Sequence, residues 1–324
     1  MKAAFNIAPS QFEVRDIPMP EPAEDEVLIR VRACAICGSD KHEFRGERPA
    51  RIAGHEFAGV IEALGAAAAG QGFAVGSRVA GMPLIGCGHC PICDAGDYGE
   101  CGAMKGAIGY GPEGAFAEYT LVPLRNLIAV AESISFPEAS LIEPTAVGIH
   151  AADRTDVSGQ RCLIVGAGSV GLLVAQAALV RGAAEVSLAD TNDANLQVAR
   201  GLGFGAVLLG TDPAPAHAFD IAYECVGGHD APLATAVEAV RNHGTLVLIG
   251  SGHPSGLSTD VLVSRRLKAI GSCGTSMAEM REAHDLIASG RINAQAIVSG
   301  TFPLAQMNEA FVAARTGQRV IVEP

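Results

Sequence analysis

The sequence predicts an α/β protein of two domains, a β-rich first domain and a second domain built as a doubly wound parallel sheet. Three observations carry this expectation. Its 324 residues exceed the roughly 250–300 at which a single hydrophobic core stops growing, and 49% hydrophobic against 18% charged residues is the balance of a chain that buries a large interior. Near Pro144 the grammar changes, from short runs broken by Gly and Pro clusters to apolar strands alternating with helical patterns. Finally, Gly166-x-Gly168-x-x-Gly171 stands between an apolar strand and a helix.

In the first half Val27, Ile29 and Val31 share one face of an extended run, and further strands are expected at 57–64, 75–85 and 115–122. Residues 66–69 read as a loop. In the second half the expected strands are 162–165, 185–189, 206–209, 221–224, 245–249 and 267–271, with a helix over 170–180 behind the glycines. A helix over 277–288 ends at Gly290, and the tail 296–324 has the mixed character of the first half. The first domain is therefore placed at 1–146 and 277–324, the second at 147–276.

The stretch between Arg161 and Arg181 carries no charge and is long enough to suggest a membrane span. A strand, a glycine turn and a buried helix laid end to end give the same hydropathy, and the membrane reading is rejected. Lys+Arg 23 against Asp+Glu 35 leaves −12, which repels phosphate backbones and anionic lipid, so neither a nucleic acid nor a membrane is an expected partner. Nine Cys cannot all pair within one chain, and Met1-Lys2-Ala3-Ala4-Phe5 reaches charge by Glu13 without an apolar signal core. The expected compartment is the reducing cytoplasm, where cysteines serve as metal ligands or buried thiols. Cys34, spaced as CxxC with Cys37, is read as a buried thiol.

The glycine triplet has the form of a dinucleotide site. The first glycine permits the tight turn, the second lets a pyrophosphate approach the backbone, and the third lets helix pack on strand, while Ser169 and Val170 open the helix whose free N–H groups face the anion. Nineteen residues after Gly171, at the end of the next strand, Asp190 is placed to accept both adenosine ribose hydroxyls and to repel a 2′-phosphate, which predicts NAD over NADP. The alternative use of Asp190, as an N-cap for the helix beyond Asn192, leaves the glycines unexplained. Val226, Ile249, Gly250 and Cys273 are expected to line the same site.

Cys87-x-x-Cys90-x-x-Cys93, followed after seven residues by Cys101, sets four thiols on a Gly- and Pro-containing loop, the pattern of an all-thiolate zinc site. With every position taken by thiolate such a zinc is structural. A second group is dispersed: Cys37-Gly38-Ser39-Asp40-Lys41-His42, Gly54-His55-Glu56 and Glu143-Pro144. Each piece alone has a plain explanation as core thiol, satisfied histidine or surface acid.

Taken in order with the cysteine loop, Gly114-Ala115-Phe116-Ala117-Glu118-Tyr119 and the fingerprint at Gly166, these motifs make the whole chain resemble the zinc-dependent medium-chain dehydrogenase family, sorbitol and threonine dehydrogenase branch. The resemblance implies a GroES-like β-barrel catalytic domain, a Rossmann domain and a catalytic zinc in the cleft between them. It makes Cys37 and His55 ligands, and leaves the third place to Glu56 or Glu143. Neighbouring side chains on an extended strand point to opposite faces, so His55 and Glu56 reach one ion only if the backbone bends. Two departures stand out: only thirteen residues separate Asp40 from Gly54, shortening a loop expected to line the substrate cleft, and Asn195 replaces a basic residue frequent near the ribose.

The implied activity is reversible oxidation of a secondary alcohol, a polyol or similar small molecule, with hydride passing to NAD. Two zinc ions per subunit are expected, and a homodimer or homotetramer, since the strand 267–271 would otherwise be an exposed edge. The proton would leave through Ser39 and the cofactor ribose to His42. Rival readings are an NAD- and zinc-binding sensor or structural protein without turnover, and a zinc-free quinone or enone reductase, which the intact Cys37, His55 and cysteine-loop set argues against. Phe44, Arg45 and Arg48 are candidate substrate contacts.

Overall fold

The computed structural model describes the backbone of residues 1–45, 51–252, 257–316 and 318–324, and the side chains of all of these but 42–45 and 316. Two compact units divide the chain: Met1–Ala146, Thr275–Gly290 and Val298–Pro324 form one, Val147–Gly274 and Arg291–Ile297 the other. The tail expected wholly in the first domain thus sends Arg291–Ile297 to the second. Gln176 holds it there, accepting from the Asn293 N–H at 2.7 Å and donating to its carbonyl at 3.4 Å.

The first unit is organised on a seven-stranded sheet in the order Val298–Pro303, Arg319–Glu323, Glu26–Ala35, Glu56–Leu64, Arg78–Gly81, Leu127–Ala129, with Tyr119–Pro123 also on Glu26–Ala35. Its centre is Glu26–Ala35: Ile29 and Val31 are buried while Arg30 and Arg32 point outward, and Ala33–Ala35 are buried on both faces. The expected strand 75–85 is two, Arg78–Gly81 and Leu84–Ile85, in different sheets. Pro83 lies between them and offers no N–H to continue a ladder. Residues 115–117 fall before the strand Tyr119–Pro123, because Ala115 and Phe116 donate instead to the carbonyls of Gly54 and Ala53, both at 2.9 Å. Beneath them Phe311 meets Phe12 and Phe116 with ring centroids 4.7 and 5.8 Å apart, a buried aromatic centre.

The second unit is a six-stranded parallel sheet in the order Gly205–Leu208, Glu185–Asp190, Arg161–Val165, Phe219–Glu224, Val240–Leu248, Lys268–Gly271. The order reverses at Arg161–Val165, whose carboxyl end is the topological switch point where open α/β sheets bind ligands. All six expected strands are present within a few residues. The uncharged stretch is the strand Arg161–Val165, the glycine turn and the largely buried helix Ser169–Val180, and among the described residues no helix is long and apolar enough to cross a membrane.

One residue sets how the first unit enters its active strand. Gly54 has φ +92°, and a Cβ there would stand 2.9 Å from both Cys34 Sγ and the Phe116 ring. Gly54→Ala should therefore cost about 1–3 kcal/mol of stability, from strain and overpacking together. Urea unfolding at constant m reads it, and an unchanged midpoint would show that the turn yields freely.

Candidate active site

Three neighbouring strands of the first unit end together, and each delivers a reactive side chain there. Ala35, the last residue of Glu26–Ala35, pairs with Glu56 on one side and Ile321 on the other. Cys37 follows just beyond and precedes the helix Gly38–Arg45, Glu56 opens its strand, and Arg319 opens the C-terminal strand. The ligand atoms of Cys37, His55 and Glu56 all lie within 4.8 Å of one another. The alternation of a pleated strand does not separate His55 from Glu56, because His55 lies before the strand, just after the turn at Gly54. Glu143, in the first turn of the helix Ile142–Ala152, is outside that 4.8 Å group. Burial, then the charge of Glu56, pushes the Glu143 carboxyl up to about 7.

The surroundings fix these groups. Glu56 Oε1 accepts from Arg319 Nη2 at 2.5 Å, both side chains being buried, and Arg319 Nη1 donates to the Ile36 carbonyl at 3.2 Å. Glu56 Oε2 is buried with no hydrogen-bond partner among the described residues. Buried Asp40 faces both other donors: its Oδ2 accepts from the Cys37 N–H at 2.9 Å, and its Oδ1 lies 3.4 Å from His55 Nδ1, an ion-pair contact without hydrogen-bond geometry. A carboxylate behind an imidazole orients the ring so that its other nitrogen faces a ligand.

Burial acts to raise the Cys37 thiol, but Arg319 and His55 outweigh it and bring it down to about 6, favouring thiolate. Burial acts to lower His55, and Asp40 and Cys37 reverse this, holding it well above the ordinary histidine range. Burial raises Glu56 against the pull of Arg319. A thiolate, an imidazole and an orphaned carboxylate oxygen form a donor set suited to Zn²⁺ with a fourth position left for substrate or water.

Sequence reasoning missed three residues here. Asp40 was quoted within the Cys-Gly-Ser-Asp run without a role, whereas Arg319 lies far along the chain with no motif around it. Tyr110 is the third: its hydroxyl donates to Ser39 Oγ at 2.5 Å, and its ring centroid stands 5.1 Å from that of His55. The His42, Phe44 and Arg45 side chains and all of Arg48 lie outside the described residues.

The four cysteines of the loop also come together, with their sulfurs within 4.8 Å of one another. Cys87 and Cys93 are 3.8 Å apart and Cys90 and Cys101 3.9 Å, around the short helix Pro91–Asp94. The Cys87 and Ala103 N–H groups bring the Cys101 thiol down to about 6, whereas Cys90, despite the Cys93 N–H, is pushed up to about 11 by burial and by the thiols around it. The lobe is anchored by Arg125, which donates to the Gly86 carbonyl at 2.9 Å. Cys34 is buried.

In the second unit the helix Ser169–Val180 has Gly168 as N-cap with no side-chain cap, so its first N–H groups are free for an anion. A Cβ on Gly171 would stand 1.9 Å from the Gly166 carbonyl oxygen, so helix and turn meet this closely only without one. Asp190 ends its strand and reaches back to the turn, accepting from the Ala167 N–H at 2.8 Å and the Asn192 N–H at 2.8 Å. The N-cap of the following helix is Asn192, not Asp190. Val226, Ile249, Gly250 and Cys273 all follow carboxyl ends of neighbouring parallel strands, on the same edge as the glycine turn. Buried Glu224, which no motif signalled, holds that edge by accepting from the Val226 and Gly227 N–H groups, both at 2.8 Å.

Arg319→Leu should destabilise the protein by about 3–5 kcal/mol by leaving Glu56 buried and unpaired, and adding Glu56→Leu should restore most of that loss. Chemical denaturation of the single and double variants measures it, and a double variant as weak as the single would show that Arg319 acts elsewhere.

Comparison with known proteins agrees with this geometry. A family model for the alcohol dehydrogenase GroES-like domain matches residues 23–132, and one for zinc-binding dehydrogenases matches 169–289. L-threonine 3-dehydrogenase of Coxiella burnetii is 31% identical over 325 residues, 94% of either chain, and sorbitol dehydrogenase of Bacillus subtilis is 34% identical over 267 residues, 77% of this chain and 75% of the relative. Among solved structures, a zinc-binding dehydrogenase of Sinorhizobium meliloti 1021 bound to NADP has a TM-score of 0.89 at 30% identity, covering 100% of this chain and 99% of that one. Galactitol-1-phosphate dehydrogenase of Escherichia coli has a TM-score of 0.89 at 26% identity and covers 100% of each chain. With both family models matched across its two units and a relative of this identity over nearly its full length, the chain belongs to the zinc-dependent medium-chain dehydrogenases, alcohol oxidoreductases, in the branch of the threonine and sorbitol enzymes.

Proposed function

We propose that the protein catalyses reversible oxidation of a secondary alcohol, a polyol or similarly hydroxylated small molecule, with NAD as hydride acceptor. The observation that carries this reading is the convergence of the ligand atoms of Cys37, His55 and Glu56, a residue whose Oε2 is buried with no hydrogen-bond partner among the described residues. Zinc held there would supply a Lewis acid that lowers the pKa of the substrate hydroxyl. Cys37 and His55 hold the ion and Glu56 is favoured over Glu143 as the third donor, because its free oxygen is otherwise an uncompensated buried acceptor. Arg319 tempers the charge of Glu56 and so leaves the ion a stronger acid. Asp40 keeps the His55 ring turned toward the metal.

Ser39 lies two residues beyond Cys37 and takes the substrate proton as it gives up its own. His42 is the exit for that proton. The four-cysteine lobe takes a second, structural zinc. Among the described residues Lys268–Gly271 has one strand neighbour, and a homo-oligomer formed on that edge is part of the same reading.

NAD is favoured because a carboxylate at Asp190 repels a 2′-phosphate and no Arg stands between Asp190 and Arg200 to attract one. The experiment is a panel of polyols, amino alcohols and simple secondary alcohols with NAD and with NADP, followed by absorbance of the reduced cofactor. NAD should be preferred by at least about tenfold, equivalent to about 1.4 kcal/mol. Asp190→Gly should narrow the gap, and equal use of both cofactors by the wild type would remove the Asp190 assignment. NAD binding without oxidation of any alcohol would favour the sensor reading.

Metal analysis after zinc-replete expression should give two ions per chain. Cys93→Ser should lower the melting temperature, whereas Cys37→Ser should abolish turnover and largely spare stability, since the lobe depends on metal for its structure and the sheet does not. Finding one zinc per chain would remove one of the two sites.

A further inference from the structure

We propose that Tyr110 is a positioning residue of the proton path: its phenol commits one lone pair of Ser39 Oγ, and so aims the Ser39 hydroxyl. The inference rests on the oxidation of an alcohol proposed above and adds to it a residue outside its metal, relay and nucleotide motifs. A serine hydroxyl has one hydrogen and two lone pairs and rotates among three staggered wells. The Tyr110 hydroxyl donates to Ser39 Oγ at 2.5 Å. That leaves Ser39 one lone pair with which to accept and one hydrogen with which to donate, the complement a one-way relay needs. In the step itself Ser39 Oγ would accept the proton leaving the substrate hydroxyl and release its own to the next acceptor on the way to solvent. Ser39 is neutral before and after, and Tyr110 keeps its proton.

The phenol is built to stay where it is. Its loop is laid on the segment before His55 by three backbone bonds, Gly114 N–H to the Ile52 carbonyl, Phe116 N–H to Ala53 and Ala115 N–H to Gly54, all at 2.9 Å. Within the loop the Tyr110 N–H donates to the Ala107 carbonyl at 2.9 Å and the Gly109 N–H to Pro112 at 2.8 Å. The Arg51 guanidinium lies 5.4 Å from the Tyr110 ring centroid and donates to the Tyr110 carbonyl at 3.2 Å. The His55 ring stands 5.1 Å from the phenol at an interplanar angle of 48°. Ring and main chain are therefore held by Arg51, His55 and the loop's own bonds, and only the hydroxyl touches the relay.

Tyr110→Phe keeps the ring contacts and deletes the one bond in question. We expect kcat for alcohol oxidation to fall about tenfold, within the range a relay contributes, with KM for the alcohol within about twofold and a larger solvent deuterium isotope effect on kcat. Ser39→Ala should lower kcat as well, and Tyr110→Phe in that background should add nothing. A second reading is independent of turnover: the melting-temperature losses of the two single variants should not add in the double variant, because both remove the same bond. Tyr110→Phe with wild-type kcat and isotope effect would overturn the inference, as would an equal loss in both Ser39 backgrounds or strictly additive melting shifts. A wild type that binds NAD and oxidises no alcohol would remove the proposed function and this inference with it, whereas an active wild type indifferent to Tyr110→Phe would remove the inference alone.

Discussion

The catalytic end of the first unit depends on one buried ion pair, Glu56 with Arg319, which joins the start of an early strand to the start of the last. Cys37, Asp40, Glu56 and Glu143 are all acidic groups gathered in one region, and burial disfavours the charged form of Cys37, Glu56 and Glu143. Arg319 is the fixed cation among them, and every one of the four contributes to holding its guanidinium charged. Breaking such a pair by removing one partner is far costlier than the pair's own net worth, because the remaining charge has no water to turn to. The pair therefore serves placement more than stability. It commits Glu56 Oε1 to the protein and leaves Oε2 as the free donor.

That division of labour is the ground on which Glu56 is proposed over Glu143 for the third place. Glu56 is tied from behind and presents a single oxygen, whereas Glu143 stands at the start of a helix with its carboxyl pushed up to about 7 by burial and by Glu56. The lobe follows the opposite logic: four thiols surround one point, two backbone N–H groups draw down the Cys101 thiol, and no position remains for chemistry.

Much of this was legible where cause and effect are close in sequence. The parallel strands read as short apolar runs because both faces of such a sheet are covered, and the glycine turn and the cysteine spacing carry their geometry in a few residues. What escaped depends on distant contact. Pro83 divides the run 75–85 between two sheets, and Arg319 reaches Glu56 only after the C-terminal strand has added beside Glu26–Ala35. Tyr110 reaches Ser39 only because its loop is bonded to residues 52–54. The common placement of His55 and Glu56 is intermediate, since Gly54 supplies the turn and the sequence displays the glycine without its φ.

Asp190 shows how one carboxylate can hold a place in the fold besides the duty proposed for it. Its carboxylate offers about four lone-pair positions, and three are engaged by the Ala167 N–H, the Asn192 N–H and, at 3.2 Å, the Asn195 amide. It therefore braces the nucleotide turn before any ribose arrives. All three donors are neutral, so they orient the carboxylate without cancelling its charge, and the repulsion of a 2′-phosphate that we propose for it would survive. This gives a physical sense to Asn195 at a position where a basic residue would have paired with the acid or attracted the phosphate. Loss of the Asp190 side chain removes the repulsion and loosens the turn together. On the NAD preference proposed above, the gain for a phosphorylated ribose would then be offset by poorer seating of the pyrophosphate, and the discrimination would collapse toward parity without inverting.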